Sequence, residues 1–458
     1  MTMPLAARAG APPQAGRRIT IGAGEWCLDR APAVLETFLG SCVGVALYDH
    51  AVQIGGLLHI VLPAGLAKRE EASPTVYASR GIPYLVQALV DAGASRRRLV
   101  ASLAGGASIR TPRGKGADLM IGQRNVLAVR AALAAEGIPV RNEDVGQDFG
   151  RHLALDLEDG RVSVRGTRRA ANGAQPPPGQ ALAIPSPRLA EVIDRLQPIS
   201  EIAFQALELA RDPDSSFFAI ERLVLKDPVL AATVLKLANS AWLGLPLPVT
   251  SVSQALSLLG LARFRRLVLQ ATVHDLFARE LRAYSMASGA LFRHAVACAQ
   301  LADLLLPDRP VREREEAYVA GLLHDLGKVV LERCAWEAYA VIAQRALSHR
   351  ESFHQAEREI LGLDHGEAGH LLADLWRLPA GLGEAIALHH EPLRSRAGRP
   401  LVCAVHVADA LCQMLGIDLA RDSLAYELEP AALAALRLDD PAVEAILAEV
   451  PRILYEHV

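Results

Sequence analysis

The sequence predicts a multidomain protein: an α+β layered N-terminal domain joined to an all-α helical C-terminal domain. Three observations carry this. Short apolar strands alternate with helical patterns from Ile19 to about Val164, the mixture from which a sheet layered with helices is built. The stretch Arg168–Pro185, RRAANGAQPPPGQALAIP, is rich in Pro, Gly and Ala and reads as a linker. Everything from Pro187 onward reads as helix upon helix. A length of 458 residues suits about two to three domains, and 51% hydrophobic residues suffice for real cores. The expected divisions are residues 1–17 as a disordered arm, 18–167 as the α+β domain, 168–186 as the linker and 187–458 as the all-α domain.

Residues 1–17 are mostly Ala, Gly, Pro and Arg without periodicity, a composition that cannot bury enough apolar surface to order itself. GSCVGVALYD reads as a tight Gly-Ser turn feeding a short apolar strand. VQIGGLLHIVLP reads as a second, with glycines before its His and a Pro to end it. The clearest helices of this half are Tyr84–Ala94 and Gln123–Glu136, the second with apolar residues at helical spacing. A strand at Leu99–Ala104 follows the first of these helices. A hairpin, 153–157 and 161–164 turning at Glu158-Asp159-Gly160, closes the layer.

Beyond the linker, helices are expected at Pro187–Arg195, Ile199–Ala210 and Phe218–Val224. Asp227-Pro228 is a helix start, with Asp as N-cap and Pro at the first helical position. It leads into an amphipathic helix over Val229–Ala238 that Asn239 could cap. No internal repeat of fixed period is present.

A net charge of −3 gives no indication of a nucleic-acid or membrane-surface partner. Arg96-Arg97-Arg98 and Arg168-Arg169 read as solvated faces or linker. Six cysteines are scattered without metal-ligand spacing or a disulfide framework. No signal peptide is present, nor an apolar run long enough to span a bilayer. Together these predict a protein of the reducing cytoplasm with no membrane insertion. Cys27, Cys298, Cys334, Cys403 and Cys412 are expected to be structural.

Cys42 and His59 lie seventeen positions apart on the two apolar strands. Consecutive strands joined by a short turn tend to pair, which could bring thiol and imidazole within hydrogen-bond reach. A thiolate beside an imidazole is the minimal activated nucleophile for acyl chemistry. The plainer reading makes Cys42 a small buried apolar residue and His59 a core histidine. The glycines beside both favour a site, because they let a substrate backbone approach closely.

The stretch from about Thr20 to Arg165 resembles the CheD family of chemoreceptor glutamine deamidases. The resemblance rests on Thr37-Phe38-Leu39-Gly40-Ser41-Cys42-Val43, Gly55-Gly56-Leu57-Leu58-His59, Gly105-Gly106-Ala107, Ile121-Gly122-Gln123-Arg124-Asn125, and Asp144-Val145-Gly146 followed by Gly150-Arg151. It implies Cys42 as nucleophile, His59 as general base and Thr37 as the third member. The implied reaction converts receptor glutamine to glutamate with release of ammonia and needs no cofactor. Methyl-accepting chemoreceptors are the implied substrates and a CheC-like phosphatase an implied partner. A His-paired cysteine is also expected to have a depressed pKa.

Asp227-Pro228-Val229-Leu230, Lys236-Leu237-Ala238-Asn239-Ser240-Ala241 and Ser253-Gln254-Ala255-Leu256 running to Leu259-Gly260 resemble an HDOD domain. That family is an all-α relative of HD phosphohydrolases and usually a signalling scaffold. Further on, Gly321-Leu322-Leu323-His324-Asp325-Leu326-Gly327-Lys328 reads as an HD dyad inside an apolar helix. It is preceded by His294 and followed by His365, His389-His390-Glu391 and Asp409. Imidazole and carboxylate suit a divalent cation that serves phosphate hydrolysis. The order resembles the larger HD and HD-GYP pattern. On that resemblance His294, His324, Asp325 and Asp409 would hold one metal, and His365 and His389, with His390, could hold a second. Pro392-Leu393-Arg394 stands where Gly-Tyr-Pro would follow Glu391, which argues against a cyclic-di-GMP phosphodiesterase. Against any metal, His324-Asp325 could be a leftover core pair and His389-His390 an exposed helix end. His274-Asp275 lacks the flanking pattern and reads as a decoy.

Three readings follow. The first is a receptor glutamine deamidase fused to an HDOD signalling domain. The second is a non-catalytic receptor-docking domain with a scaffold output. The third adds a metal-dependent phosphohydrolase in the C-terminal half.

Overall fold

The computed structural model describes residues 17–63, 74–107, 121–147, 150–166, 183–196, 205, 217–239, 248–349, 351–396, 398–417, 428–438, 442–443, 445–447 and 449–450. Residues 1–16 of the expected arm, almost all of the linker and all but residue 205 of the helix expected at Ile199–Ala210 lie outside the described residues, and Arg17 already belongs to the first strand. Backbone contacts divide the chain into two compact units. One comprises Met1–Gly173, Leu411–Leu419 and Asp440–Leu454; the other comprises Ala174–Ala410, Ala420–Asp439 and Tyr455–Val458.

The first unit is built from β1 (Arg17–Thr20), β2 (Trp26–Arg30), β3 (Ala33–Leu39), β4 (Val43–Asp49), β5 (Ile54–Ile60), α1 (Ala78–Asp91), β6 (Val100–Gly105), α2 (Ile121–Ala135), β7 (Val140–Val145), β8 (Arg151–Asp156) and β9 (Val162–Gly166). The strands form two sheets, ordered β1-β3-β8-β9 and β2-β5-β4-β6-β7. β4 and β5 pair antiparallel as expected, with Gly44 opposite His59. Both are buried along their whole length, which is why they read as unbroken apolar runs without polar alternation. Side chains of α1 (Ile82, Leu85, Val86, Leu89) and α2 (Val126, Val129, Leu133) share one apolar core with Val43, Val45 and Leu47 of β4 and Leu58 and Ile60 of β5.

The other face of this sheet meets the second sheet. A Cβ on Gly44 would lie 2.6 Å from Leu153 Cδ2, and one on Gly55 would lie 2.6 Å from Leu157 Cδ2. Glycine at these strand positions admits neighbouring leucines where any side chain would hold the layers apart.

The second unit is helical among its described residues: α3 (Ser186–Arg195), α4 (Phe217–Val224), α5 (Pro228–Ala238), α6 (Val252–Phe277), α7 (Ala290–Leu304), α8 (Val311–Leu323), α9 (Leu326–Ala335), α10 (Tyr339–His349), α11 (Phe353–Leu361), α12 (His365–Leu375), α13 (Ala380–Leu388), α14 (Arg399–Met414, whose residues from Leu411 onward count with the first unit) and α15 (Pro430–Ala435). Asp227 caps α5 as expected, its carboxylate accepting from the N–H groups of Val229 and Leu230, and Asn239 stands at its C-cap.

Two tight crossings shape this unit. A Cβ on Gly321 of α8 would come within 2.8 Å of Ala299 Cα of α7. One on Gly327 of α9 would fall 1.7 Å from the His365 carbonyl oxygen of α12. Glycine alone lets these backbones touch, and the second contact sets the chain after Asp325 directly against His365.

Candidate functional site

In the first unit the candidate site lies where the chain passes from one sheet to the other. β3 brings Thr37 to its end, the turn Gly40–Cys42 crosses over, and β5 returns His59 beside the start of β4. Thr37, Cys42 and His59 are all buried, at 0%, 0% and 1% exposure. His59 is held at its backbone by the Glu25 carbonyl, which accepts its N–H at 3.0 Å, and by the Gly24 N–H, which donates to its carbonyl at 3.0 Å.

The Thr37 hydroxyl fixes the imidazole tautomer. Its Oγ1 lies 2.8 Å from the Ile21 carbonyl oxygen and 2.8 Å from His59 Nδ1. A hydroxyl has one proton to give, and the carbonyl can only accept. Oγ1 therefore donates to Ile21 and accepts from Nδ1–H, which leaves the lone pair on Nε2. That Nε2 is buried and has no hydrogen-bond partner among the described residues. A Cβ placed on Gly416 would stand 3.0 Å from Nε2 and 3.5 Å from Cys42 Sγ, so base and nucleophile converge on one point. Glu36, the neighbour of Thr37, faces away and pairs with Arg18 at 2.6 Å.

The electrostatics differ from the depressed thiol pKa expected from sequence. Cys42 Sγ donates to the Leu415 carbonyl at 3.1 Å within the same compact unit. Burial pushes the thiol up and lowers His59 to about 3, because desolvation penalises each charged form. Thr37, the side-chain partner of His59, carries no charge to oppose this. The resting pair is thus neutral thiol and neutral imidazole.

The second unit holds a cluster of histidines and acids. Six of the residues anticipated from sequence, His294, His324, Asp325, His365, His389 and Asp409, converge. His294 Nε2 lies 3.1 Å from Asp409 Oδ1, His324 Nε2 3.3 Å from Asp325 Oδ2, and His365 and His389 Nε2 3.7 and 3.9 Å from Asp325 Oδ1. His390 joins them, its Nε2 2.7 Å from His365 Nε2. His389 is fully buried, not an exposed helix end. The dyad is not inside a helix either. His324 ends α8 and Asp325 begins α9, and this break turns both side chains into one cluster.

The outer atoms of the imidazoles are committed. Nδ1 of His324 and of His389 face the carbonyl oxygens of Gly321 and Ile386 at 2.7 and 2.8 Å, and Nδ1 of His365 faces Glu357 Oε2 at 2.6 Å. Each Nδ1 is thereby held, and each Nε2 is turned inward, the arrangement of metal-ligating histidines. Nε2 of His294, His324 and His389 makes no hydrogen bond among the described residues. Three overlapping groups place their donor atoms within 4.8 Å of one another: His294-His324-Asp409, His324-Asp325-His389 and His365-His389-His390. The residues fit a divalent cation, or two.

Asp325 sits well below the usual carboxylate range: burial opposes this, but His324 and the Lys328 ammonium, 2.7 Å away, outweigh it. His365 is raised to about 9, burial again opposing and the Glu357 carboxylate prevailing. Glu357 was not anticipated from sequence. It is buried, accepts from the hydroxyls of Tyr284 and Tyr339 at 2.7 and 2.8 Å and from the His365 N–H at 3.0 Å, and no spacing or motif in the sequence marks it. His274 Nδ1 lies 2.9 Å from Asp275 Oδ1, and its ring packs edge-on against Phe292.

Fold and site together define a two-part protein in which a Cys–His–Thr group and a His/Asp cluster occupy separate units. The family model described as CheD chemotactic sensory transduction matches residues 61–166, and that described as HDOD domain matches residues 196–392. A relative from Symbiobacterium thermophilum, named "Probable chemoreceptor glutamine deamidase CheD", is 50% identical over 147 residues, covering 31% of this chain and 89% of its own. One of the same name from Moorella thermoacetica is 43% identical over 151 residues, covering 32% of this chain and 90% of its own. Among solved structures, an HDOD domain protein from Geobacter sulfurreducens is 25% identical, with a TM-score of 0.45, covering 58% of this chain and 98% of its own. The chain belongs to the CheD family, and its helical half carries an HDOD domain.

Proposed function

We propose that the first unit is a cysteine-dependent glutamine deamidase acting on methyl-accepting chemoreceptors. The observation that carries this is the Thr37–His59 hydrogen bond, which leaves a bare Nε2 converging with Cys42 Sγ. The thiol gives its proton to Nε2 as sulfur attacks the carboxamide carbon, forming the C–S bond and a tetrahedral oxyanion. The imidazolium returns the proton to the leaving nitrogen, the C–N bond breaks, and ammonia departs. Water then attacks the thioester, His59 taking its proton and returning it to sulfur, to leave glutamate and free thiol. Forming the ion pair from two neutral groups costs least when sulfur attack and proton transfer are concerted, which suits the neutral resting pair.

Each turnover adds one negative charge to a receptor helix and changes its packing by ordinary electrostatics. Six cysteines without a disulfide support a reducing, cytoplasmic setting, and no described helix is long and apolar enough to cross a membrane. A CheC-like phosphatase partner rests on the family resemblance alone. The test is mass spectrometry of a receptor cytoplasmic fragment incubated with the full chain. Amide-to-acid conversion at defined glutamines, abolished in Cys42→Ala, is the expected result; conversion that survives Cys42→Ala overturns the assignment of the nucleophile.

The second unit, we infer, binds divalent metal. His294, His324, Asp325 and Asp409 would hold one ion, and His365, His389 and His390 a second. The inward-facing Nε2 atoms support this. A bound cation would supply Lewis-acid polarisation and an acidified water for phosphoester hydrolysis. The chain's own part is to fix the imidazole tautomers through Gly321, Ile386 and Glu357 and to hold Asp325 ionised beside Lys328. Elemental analysis of the purified chain, with its thermal midpoint measured before and after chelation, tests this reading. Absence of both metal and a chelator shift would leave the cluster a core pair network.

A further inference from the structure

We propose that Asn125 is a positioning residue for acyl transfer: it fixes the Ser41–Cys42 peptide so that the Cys42 N–H faces the oxyanion. The inference rests on the deamidase reading above and names a residue that neither the Cys–His–Thr group nor the metal cluster uses.

Asn125 lies on α2 and is fully buried. Its Nδ2 donates to the Ser41 carbonyl at 3.2 Å and to the Val61 carbonyl at 2.8 Å. Both partners can only accept, so the nitrogen must occupy this position; a flipped amide would set its oxygen against two carbonyl oxygens. One side chain thus ties the nucleophile's turn to the chain two residues beyond His59. It reaches them because α2 begins hard against the Gly106-Ala107 backbone. A Cβ on Gly122 would stand 2.4 Å from the Ala107 oxygen and 2.6 Å from the Gly106 oxygen.

Three successive carbonyls of the turn are committed in the same way. Ala107 N–H donates to Gly40 at 2.9 Å, Asn125 to Ser41, and Gly106 N–H to Cys42 at 2.7 Å. In a planar trans peptide the C=O and the following N–H point in opposite directions. Holding Gly40 and Ser41 by their oxygens therefore turns the N–H groups of Ser41 and Cys42 away from β6 and α2. Neither N–H finds a backbone or side-chain acceptor among the described residues. Buried donors without acceptors are rare, and a pair at the nucleophile is what an oxyanion of acyl transfer requires. Of the three restraints on the turn's carbonyls, two are backbone amides, which no substitution other than proline removes. Asn125 is the one that sequence supplies, and it orients the nucleophile's own N–H.

The experiment separates this role from a structural one by comparing two reactions of the same thiol. Deamidation passes through an oxyanion; alkylation of Cys42 by iodoacetamide is a displacement that forms none. Both are measured on full-length Asn125→Ala and Asn125→Asp, the second nearly isosteric but with oxygens in place of the donor. Circular dichroism checks the fold, and Asn125→Ser serves if either variant does not fold. The expected result is a fall in kcat for deamidation of about tenfold to a hundredfold, since removing an oxyanion donor outright costs about a hundredfold or more. KM should change less than twofold, and the rate and pH profile of Cys42 alkylation should match wild type. A folded variant that deamidates within twofold of wild type overturns the proposal. So does a variant in which alkylation and deamidation fall together, which would make Asn125 a brace for the Cys42–His59 pair. Wild type that fails to deamidate, or Cys42→Ala that still does, would instead defeat the reading beneath it.

Discussion

His59 and His365 are equally buried histidines with opposite electrostatics. His59 is lowered to about 3, whereas His365 is raised to about 9. Burial pushes both the same way; what differs is the atom beside Nδ1. For His59 it is a neutral threonine hydroxyl, for His365 a buried carboxylate. The first partner sets a tautomer and leaves a base. The second sets a tautomer and adds a charge, raising ligand basicity toward a cation. The two units thus apply one device, an Nδ1 restraint that aims Nε2, to two different chemistries.

The contrast breaks most sharply at the thiol. Cys42→Ala should lower deamidation by at least about a thousandfold, the order seen when a covalent nucleophile is removed. Metal content and the chelator-induced shift in thermal midpoint should stay as in wild type. The reciprocal pair, His324→Ala with Asp325→Ala, should abolish metal and chelator shift while deamidation persists. Metal at about a hundredfold over its Kd would contribute about 3 kcal/mol to stability, readily seen as a shift in midpoint. If either change abolished both readouts in folded protein, the sites would not be independent.

Thr37→Val comes next. It leaves Nδ1–H without an acceptor in a buried position and frees the imidazole to adopt the other tautomer. Deamidation should fall about ten- to a hundredfold, because a wrong tautomer disables the base, while Thr37→Ser should retain most of the rate. A Thr37→Val enzyme with wild-type kcat would mean that Glu25 and Gly24, which hold the His59 backbone, suffice to orient it. In the other unit, Glu357→Gln keeps a hydrogen-bond acceptor but removes the charge. Metal affinity should fall about tenfold, the lower end for an outer-sphere partner, read by competition with a chelator of known affinity.

Much of both sites was legible in the sequence, and the reasons for the gaps are specific. Cys42 and His59 were readable because a Gly-Ser turn and two apolar runs dictate a hairpin, and a hairpin fixes which residues face each other. The helix start at Asp227-Pro228 was readable because capping chemistry is local. The histidines and aspartates of the cluster were readable as residue types that rarely persist in a core without a partner. Asn125 is marked in the sequence only as one residue of the Ile121–Asn125 block, with no role attached, and Glu357 is not marked at all. Each acts on a group reached only through tertiary packing, Asn125 across from α2 and Glu357 from α11. The break between His324 and Asp325 was hidden because an apolar run reads as one helix whether or not its axis turns. The thiol pKa was misjudged because sequence supplies the partner's identity but not the depth of burial.

The smallest expected effect probes that burial directly. A folded-state pKa near 3 for His59, against an ordinary value of about 6.5, means that the unfolded chain binds this proton more readily. Neutral His59 then contributes no penalty above about pH 6.5, and stability is lost as the pH falls from there toward 3. The slope expected from one such group is about 1 kcal/mol per pH unit. Burial lowers other histidines too, His354 to about 4 among them, so the measurement is a difference. Urea unfolding of wild type and His59→Gln, followed from pH 7 to pH 4.5, should give curves that converge or cross as wild type weakens faster. Glutamine keeps a hydrogen-bonding side chain and cannot titrate. Parallel curves would show that His59 is solvated in the resting protein, and the contrast with His365 would then lie in exposure instead of in the atom beside Nδ1.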